Sequence, residues 1–204
     1  MALIEVKDVT ISRGDARVIE GLSLTIKERT ITAIVGANGS GKSTLIGALA
    51  GDHPLDAGLI TIGGRDLGEL SLAEQSKLRS VVAQNQFFWL AFTVRQVIEM
   101  GQISENLSRV ESVLSQLGMN EIVDQSVLTL SGGQLQRVAI ARALVCDTPI
   151  YLFDEPLASQ DKKSRANLIS LFTTMRNQGK TIVIVMHSDA SDLDWCDQIV
   201  QDLA

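Results

Sequence analysis

The sequence predicts an α/β fold: a parallel β-sheet core, preceded by antiparallel strands and interrupted by a helical insertion. Three observations predict it. An apolar, β-branched run at residues 31–35 breaks into Gly36-Ala37-Asn38-Gly39-Ser40-Gly41-Lys42-Ser43-Thr44, and a helical pattern follows with Leu45, Leu49 and Ala50 on one face. Two later apolar runs, 150–153 and 181–186, have the length of buried strands. Between these β-rich flanks, residues 85–145 read as mostly helical.

Each element has a local cause. Residues 3–9 and 18–26 alternate apolar and polar side chains, the pattern of antiparallel strands, here joined around Gly14-Asp15. Gly51-Asp52-His53-Pro54 stops the first helix, and residues 59–62 form a short strand closed by Gly63-Gly64. Ser71-Leu72-Ala73-Glu74 has the spacing of a capping box. Val81, Val82 and Ala83 make a strand that delivers Gln84. Leu107, Val110, Val113, Leu114 and Leu117 keep helical spacing up to the stop at Gly118. Ser131 is a good N-cap for the helix LQRVAIARALV, and Gly132 and Gly133 expose backbone N–H groups at its start.

Composition bounds the function. With 204 residues the chain holds one well-buried α/β core and is too short for two. We divide this single domain into a core of residues 1–84 and 146–204 and a helical subdomain of 85–145. A net charge of −6 argues against a nucleic-acid partner. Cys146 and Cys196 lie far apart with no metal-binding spacing, which suits a reducing cytosol. The start MALIEVKDV lacks the features of a secretory signal, and no apolar run reaches the ~20 residues of a membrane helix. Work at a membrane would therefore need another chain to cross it.

The glycine loop carries the chemistry. Backbone N–H groups can turn inward around a polyphosphate only where side chains leave room, which Gly36, Gly39 and Gly41 allow, and the following helix adds its positive end. Lys42 would reach the terminal phosphates, and the Ser43 hydroxyl would hold Mg²⁺. Ile150-Tyr151-Leu152-Phe153-Asp154-Glu155 runs a buried strand into two carboxylates at the sheet edge where ligands of open α/β folds bind. Asp154 would support Mg²⁺, and Glu155 would deprotonate the attacking water.

GANGSGKST, LSGGQ and IYLFDEP, in this order, resemble the ATPase domain of ABC transporters along nearly the whole chain. The resemblance implies a P-loop NTPase fold, with a RecA-like core, an antiparallel β subdomain and an inserted α-helical subdomain, and it implies ATP and Mg²⁺ as ligands. It assigns Gln84 to Mg²⁺ and the attacking water, His187 to the γ-phosphate, and Asp161 to a bridge between subunits. It further implies a head-to-tail homodimer in which Ser131, Gly133 and Gln134 of one copy close on the ATP held by residues 36–44 of the other.

The family places such a chain in the cytoplasm, on the inner face of the membrane through permease subunits that work with an extracytoplasmic substrate-binding protein. Phe87, Phe88, Trp89 and Phe92 are four of eight aromatics; they either pack the helical subdomain or line a groove for a cytoplasmic helix of the permease. LAFTVRQVIEMG and AGDHPLDAGLITIGGRDL resemble importers of haem, ferric siderophores and cobalamin. Other assignments are a soluble ABC ATPase, as in iron–sulfur cluster biogenesis, and a nucleotide-binding regulator with little turnover, against which Glu155 and His187 speak.

Some positions depart from the family pattern. Arg13 stands where relatives place an aromatic near the adenine; a guanidinium can also stack on a ring, and it can equally be a solvated loop arginine. Gln160 replaces a usual leucine, residues 102–120 are shorter, and the chain stops soon after Ile199-Val200.

Overall fold

A computed structural model describes residues 2–86, 88–102, 106–187, 193–201 and 203. In chain order its elements are β1 (Ala2–Arg13), β2 (Ala16–Lys27), β3 (Ile31–Val35), α1 (Lys42–Leu49), β4 (Ala57–Ile62), β5 (Arg65–Asp66), α2 (Leu72–Leu78) and β6 (Arg79–Val82). There follow α3 (Val94–Glu99), α4 (Leu107–Gln116), α5 (Gly132–Leu144), β7 (Ile150–Asp154), α6 (Lys162–Asn177), β8 (Thr181–Met186) and β9 (Gln198–Gln201).

The strands form two sheets. One is antiparallel, in the order β2-β1-β4-β5; the other has the order β6-β7-β8-β3-β9, and every pairing in it is parallel. The β1–β2 hairpin runs past the expected end at Val9 because its ladder continues across bulges. Asp8, at φ 51°, sits at one of them, and its N–H finds the Ser23 hydroxyl at 2.9 Å instead of a ladder partner. At the far edge, β9 is fixed by Asp197, which accepts from Ile31 N at 2.8 Å and pairs with Arg176 of α6 at 2.9 Å.

Side-chain alternation sorts the parallel sheet into two cores. Ala33, Val35, Tyr151, Phe153, Ile182 and Ile184 pack with the buried faces of α3, α4, α5 and α6. Ile34, Ile150, Leu152, Val183 and Val185 pack with α1 and the antiparallel sheet. This is why β7 and β8 read as unbroken apolar runs: both faces are covered. Each large buried side chain contributes roughly 1.5–3 kcal/mol.

The described regular elements between β6 and β7 are all helical. The capping box of Ser71 and Glu74 forms at α2 as its spacing predicts. A second, unanticipated from sequence, opens α3: Thr93 Oγ1 accepts from Gln96 N, and Gln96 Oε1 accepts from Thr93 N. No helix among the described residues is long and apolar enough to cross a membrane.

Candidate active site

The carboxyl ends of β3, β7 and β8 lie side by side, so the loops leaving them converge. A cavity of about 670 Å³ opens there, lined by Asn38, Gly39, Gly41, Lys42, Ser43, Thr44, Gln84, Glu155 and His187. Val18 of β2 completes the lining.

The loop needs its glycines for different reasons. Gly39 and Gly41 have φ of 80° and 89°, the left-handed region where a side chain is strained. A Cβ on Gly41 would also come within 3.1 Å of the Val18 carbonyl, so β2 presses against the turn. Gly36 allows Ser40 close, since its Cβ would lie 3.0 Å from Ser40 Oγ. Lys42 is buried, and its Nζ donates to Gly36 O at 2.8 Å and Ala37 O at 2.7 Å. The ammonium is thus held over the mouth of the loop, ahead of the start of α1.

Across the cavity stands a second cluster. Glu155 turns sharply out of β7 at φ 52°, with its N–H on Val185 O at 3.0 Å. A non-glycine residue held in this region stores strain, which accumulates at functional positions. Its two carboxylate oxygens are separately engaged: Oε1 lies 2.5 Å from His187 Nε2, and Oε2 accepts from Gln84 Nε2 at 2.9 Å.

Asp154, one residue earlier, is buried, and its Oδ1 has no hydrogen-bond partner among the described residues. Burial pushes its carboxyl above the ordinary value, the charge of Glu155 adds to the push, and the Ser43 hydroxyl, Lys42 and His187 oppose it. An orphaned carboxylate oxygen with a hydroxyl and a side-chain amide nearby is a hard-oxygen donor set suited to Mg²⁺.

The remaining sequence candidates lie elsewhere. Arg13 is exposed and its guanidinium bonds His53 Nε2; Val18, and not Arg13, lines the cavity. Ser131 and Gln134 form a capping box: Ser131 Oγ accepts from Gln134 N at 3.3 Å and Gln134 Oε1 accepts from Ser131 N at 2.9 Å. The Gln134 side chain is therefore committed to its own helix start. Asp161 caps α6 through Ser164 N at 2.9 Å and Ser164 Oγ at 2.9 Å. Gly133 packs on the following loop, where a Cβ would come 2.8 Å from Ser159 O. Phe88 and Phe92 pack against the helical core, Trp89 is 89% exposed, and Phe87 lies outside the described residues.

Sequence reasoning missed Val18 because its only signal is packing against Gly41, which no motif encodes.

A glycine loop at the end of a central strand, a lysine held over it, and an acid paired with histidine and glutamine opposite together define a P-loop nucleoside triphosphatase. Comparison with known proteins narrows the class. Residues 19–158 match the family described as "ABC transporter". The chain is 32% identical over 200 residues to the "Hemin import ATP-binding protein HmuV" of Rhodococcus jostii, covering 94% of this chain and 68% of that one. It is 36% identical over 199 residues to the "Macrolide export ATP-binding/permease protein MacB" of Marinobacter nauticus, covering 91% of this chain and 31% of that one. Among solved structures, "Structure of a bacterial Atm1-family ABC exporter with ATP bound" superposes with a TM-score of 0.89 at 26% identity, over 98% of this chain and 36% of that one. The chain belongs to the ABC transporter family, as the ATP-binding subunit whose ATP hydrolysis drives transport through transmembrane permease partners.

Proposed function

We propose that this subunit powers import of a metal complex such as haem or an iron chelate, by hydrolysing ATP at sites shared between two head-to-tail copies. The observation that carries the ATPase part is the Glu155 cluster facing the Lys42 loop across one cavity. The haemin-import relative supports the substrate class, as do LAFTVRQVIEMG and the segment before it.

In this reading Gly36, Ala37, Asn38, Gly39, Ser40, Gly41 and Thr44 cradle the phosphates, and Lys42 leaves the Gly36 and Ala37 carbonyls to meet their charge. Ser43, Asp154 and Gln84 hold Mg²⁺, which supplies charge neutralisation on the phosphates when bound. Glu155 takes the proton of the attacking water on a carboxylate that His187 orients through Oε1 and Gln84 through Oε2. His187 then contacts the γ-phosphate. Ser131 and Gly133 of the second copy close the site, and Asp161 bridges the two copies. Trp89, Leu90 and Met100, all exposed, supply apolar surface for a permease helix, and an extracytoplasmic binding protein delivers the cargo. Arg13, tied to His53, serves the adenine only by leaving that bond.

Phosphate release by wild type and Glu155→Gln tests the chemistry. Loss of the base lowers turnover about 10²–10⁴-fold while nucleotide binding persists; equal release by both forms removes Glu155 from this role. Reconstitution with its transmembrane permease partner, assayed for haem and ferric siderophore uptake, tests the cargo, and uptake of neither rejects it.

A further inference from the structure

Gln160 bridges two parts of the molecule that the sequence motifs treat separately. Its Nε2 donates to the carbonyl oxygen of Gly133, in the first turn of α5, at 3.1 Å. The approach is close because Gly133 has no side chain: a Cβ there would meet Ser159 O at 2.8 Å and the Gln160 amide at 3.5 Å. On the other side, the loop that carries Gln160 begins at Glu155, folds into a turn through Ala158 N on Glu155 O at 3.1 Å, and passes Ser159 at φ 59°.

A cavity of about 190 Å³ separates the two parts, with Gln84 and Glu155 on one wall and Gly132, Leu135 and Gln136 of α5 on the other. Apolar packing therefore does not fill the space between Glu155 and the start of α5. The Gln160 bond spans its edge as a directional tie. A leucine at 160 could fill volume but could not bond a carbonyl.

We propose that Gln160 is a positioning residue for hydrolysis: it ties the first turn of α5 to the 155–161 loop, so that the setting of Glu155 follows the position of Ser131 and Gly133. This rests on the reading of Glu155 as the base. Gln160 does not line the cavity shared by Lys42 and Glu155; it acts through the loop. When the tie is intact, Glu155 keeps its paired contacts with His187 and Gln84; when it is cut, the loop relaxes toward the cavity and the carboxylate loses its aim.

Two variants separate the tie from volume. Gln160→Leu removes the donor, and Gln160→Glu keeps the shape but replaces the donor with an acceptor that repels the Gly133 carbonyl. Gln160 is part-exposed, so both variants should melt cooperatively, which circular dichroism checks. In the full chain with ATP and Mg²⁺, both should lower kcat about tenfold, the loss of one positioning hydrogen bond, with nucleotide affinity within about twofold of wild type. In the nucleotide-free chain, amide exchange at 132–136 and 157–160 should quicken in both.

The decisive step is the cycle with Glu155→Gln. If Gln160 acts through Glu155, adding Gln160→Leu to Glu155→Gln lowers residual turnover no further. Unchanged kcat and exchange in both variants, or an equal fall in the Glu155→Gln background, overturns the proposal. Wild-type turnover by Glu155→Gln alone would instead sink the reading of the base.

Discussion

Asp154 and Glu155 are neighbours in the chain with opposite surroundings. Glu155 is bonded on both oxygens, whereas Asp154 is buried with one oxygen unpartnered. Because burial raises the Asp154 pKa, its charged form is the destabilised one. Its contribution to stability is present below the ordinary Asp value and is lost as the pH rises through the raised folded value. Asp154→Asn should therefore melt higher than wild type at neutral pH without Mg²⁺ or nucleotide. The gain comes from removing a buried charge and should shrink as the pH falls and the Asp154 carboxyl takes up its proton. The same variant should lose the Mg²⁺-dependent gain in ATP affinity. Calorimetry across pH checks the first expectation; an equal or lower melting temperature at neutral pH contradicts it.

At this scale the sequence was informative where chemistry constrains residue type. Lys42, Ser43, Gln84, Glu155 and His187 were legible and do share one cavity. Arg13 was not, because its partner His53 lies 40 positions away and only the fold brings them together. The Gln160 bond to Gly133, across 27 positions, was hidden for the same reason.

Among the elements, α5 bears the clearest double duty. Ser131 caps it and Gln134 closes the box, so two residues expected to meet nucleotide also hold their own helix start. Ser131→Ala should destabilise the chain by about 1 kcal/mol through loss of the cap, and Ser131→Asn, another capping residue, should restore most of it. Thermal melting of the pair separates capping from any role toward ATP; equal melting of Ser131→Ala and wild type removes the cap from the account.

Element identity was readable from periodicity, as β7, β8 and α4 illustrate, because burial on both faces or on one stripe writes itself into spacing. Element length was less so: β1 and β2 extend beyond their alternating stretches, since ladder bonds and the Ser23 contact carry the hairpin across its bulges. The capping box of α3 has the Thr-x-x-Gln spacing, but a helix of six residues carries too little periodicity to mark Thr93 as its start.

For the whole molecule, one question dominates. The Lys42 loop and Ser131 are separate features of one chain, the latter at a helix start that does not line the main cavity. The proposed head-to-tail pair would resolve this by giving each ATP a loop from one copy and a Ser131 from the other. ATP should then join the copies, and hydrolysis should part them, moving whatever is attached.

Complementation measures this most directly. Lys42→Ala and Ser131→Arg chains, each inactive alone, should regain ATPase activity when mixed, because the mixed pair keeps one site with both its lysine and its serine. For random pairing of equal amounts and independent sites, recovery should reach about a quarter of wild-type turnover. A mixture in which mixed pairs form yet activity stays at the level of the separate variants would contradict the shared site.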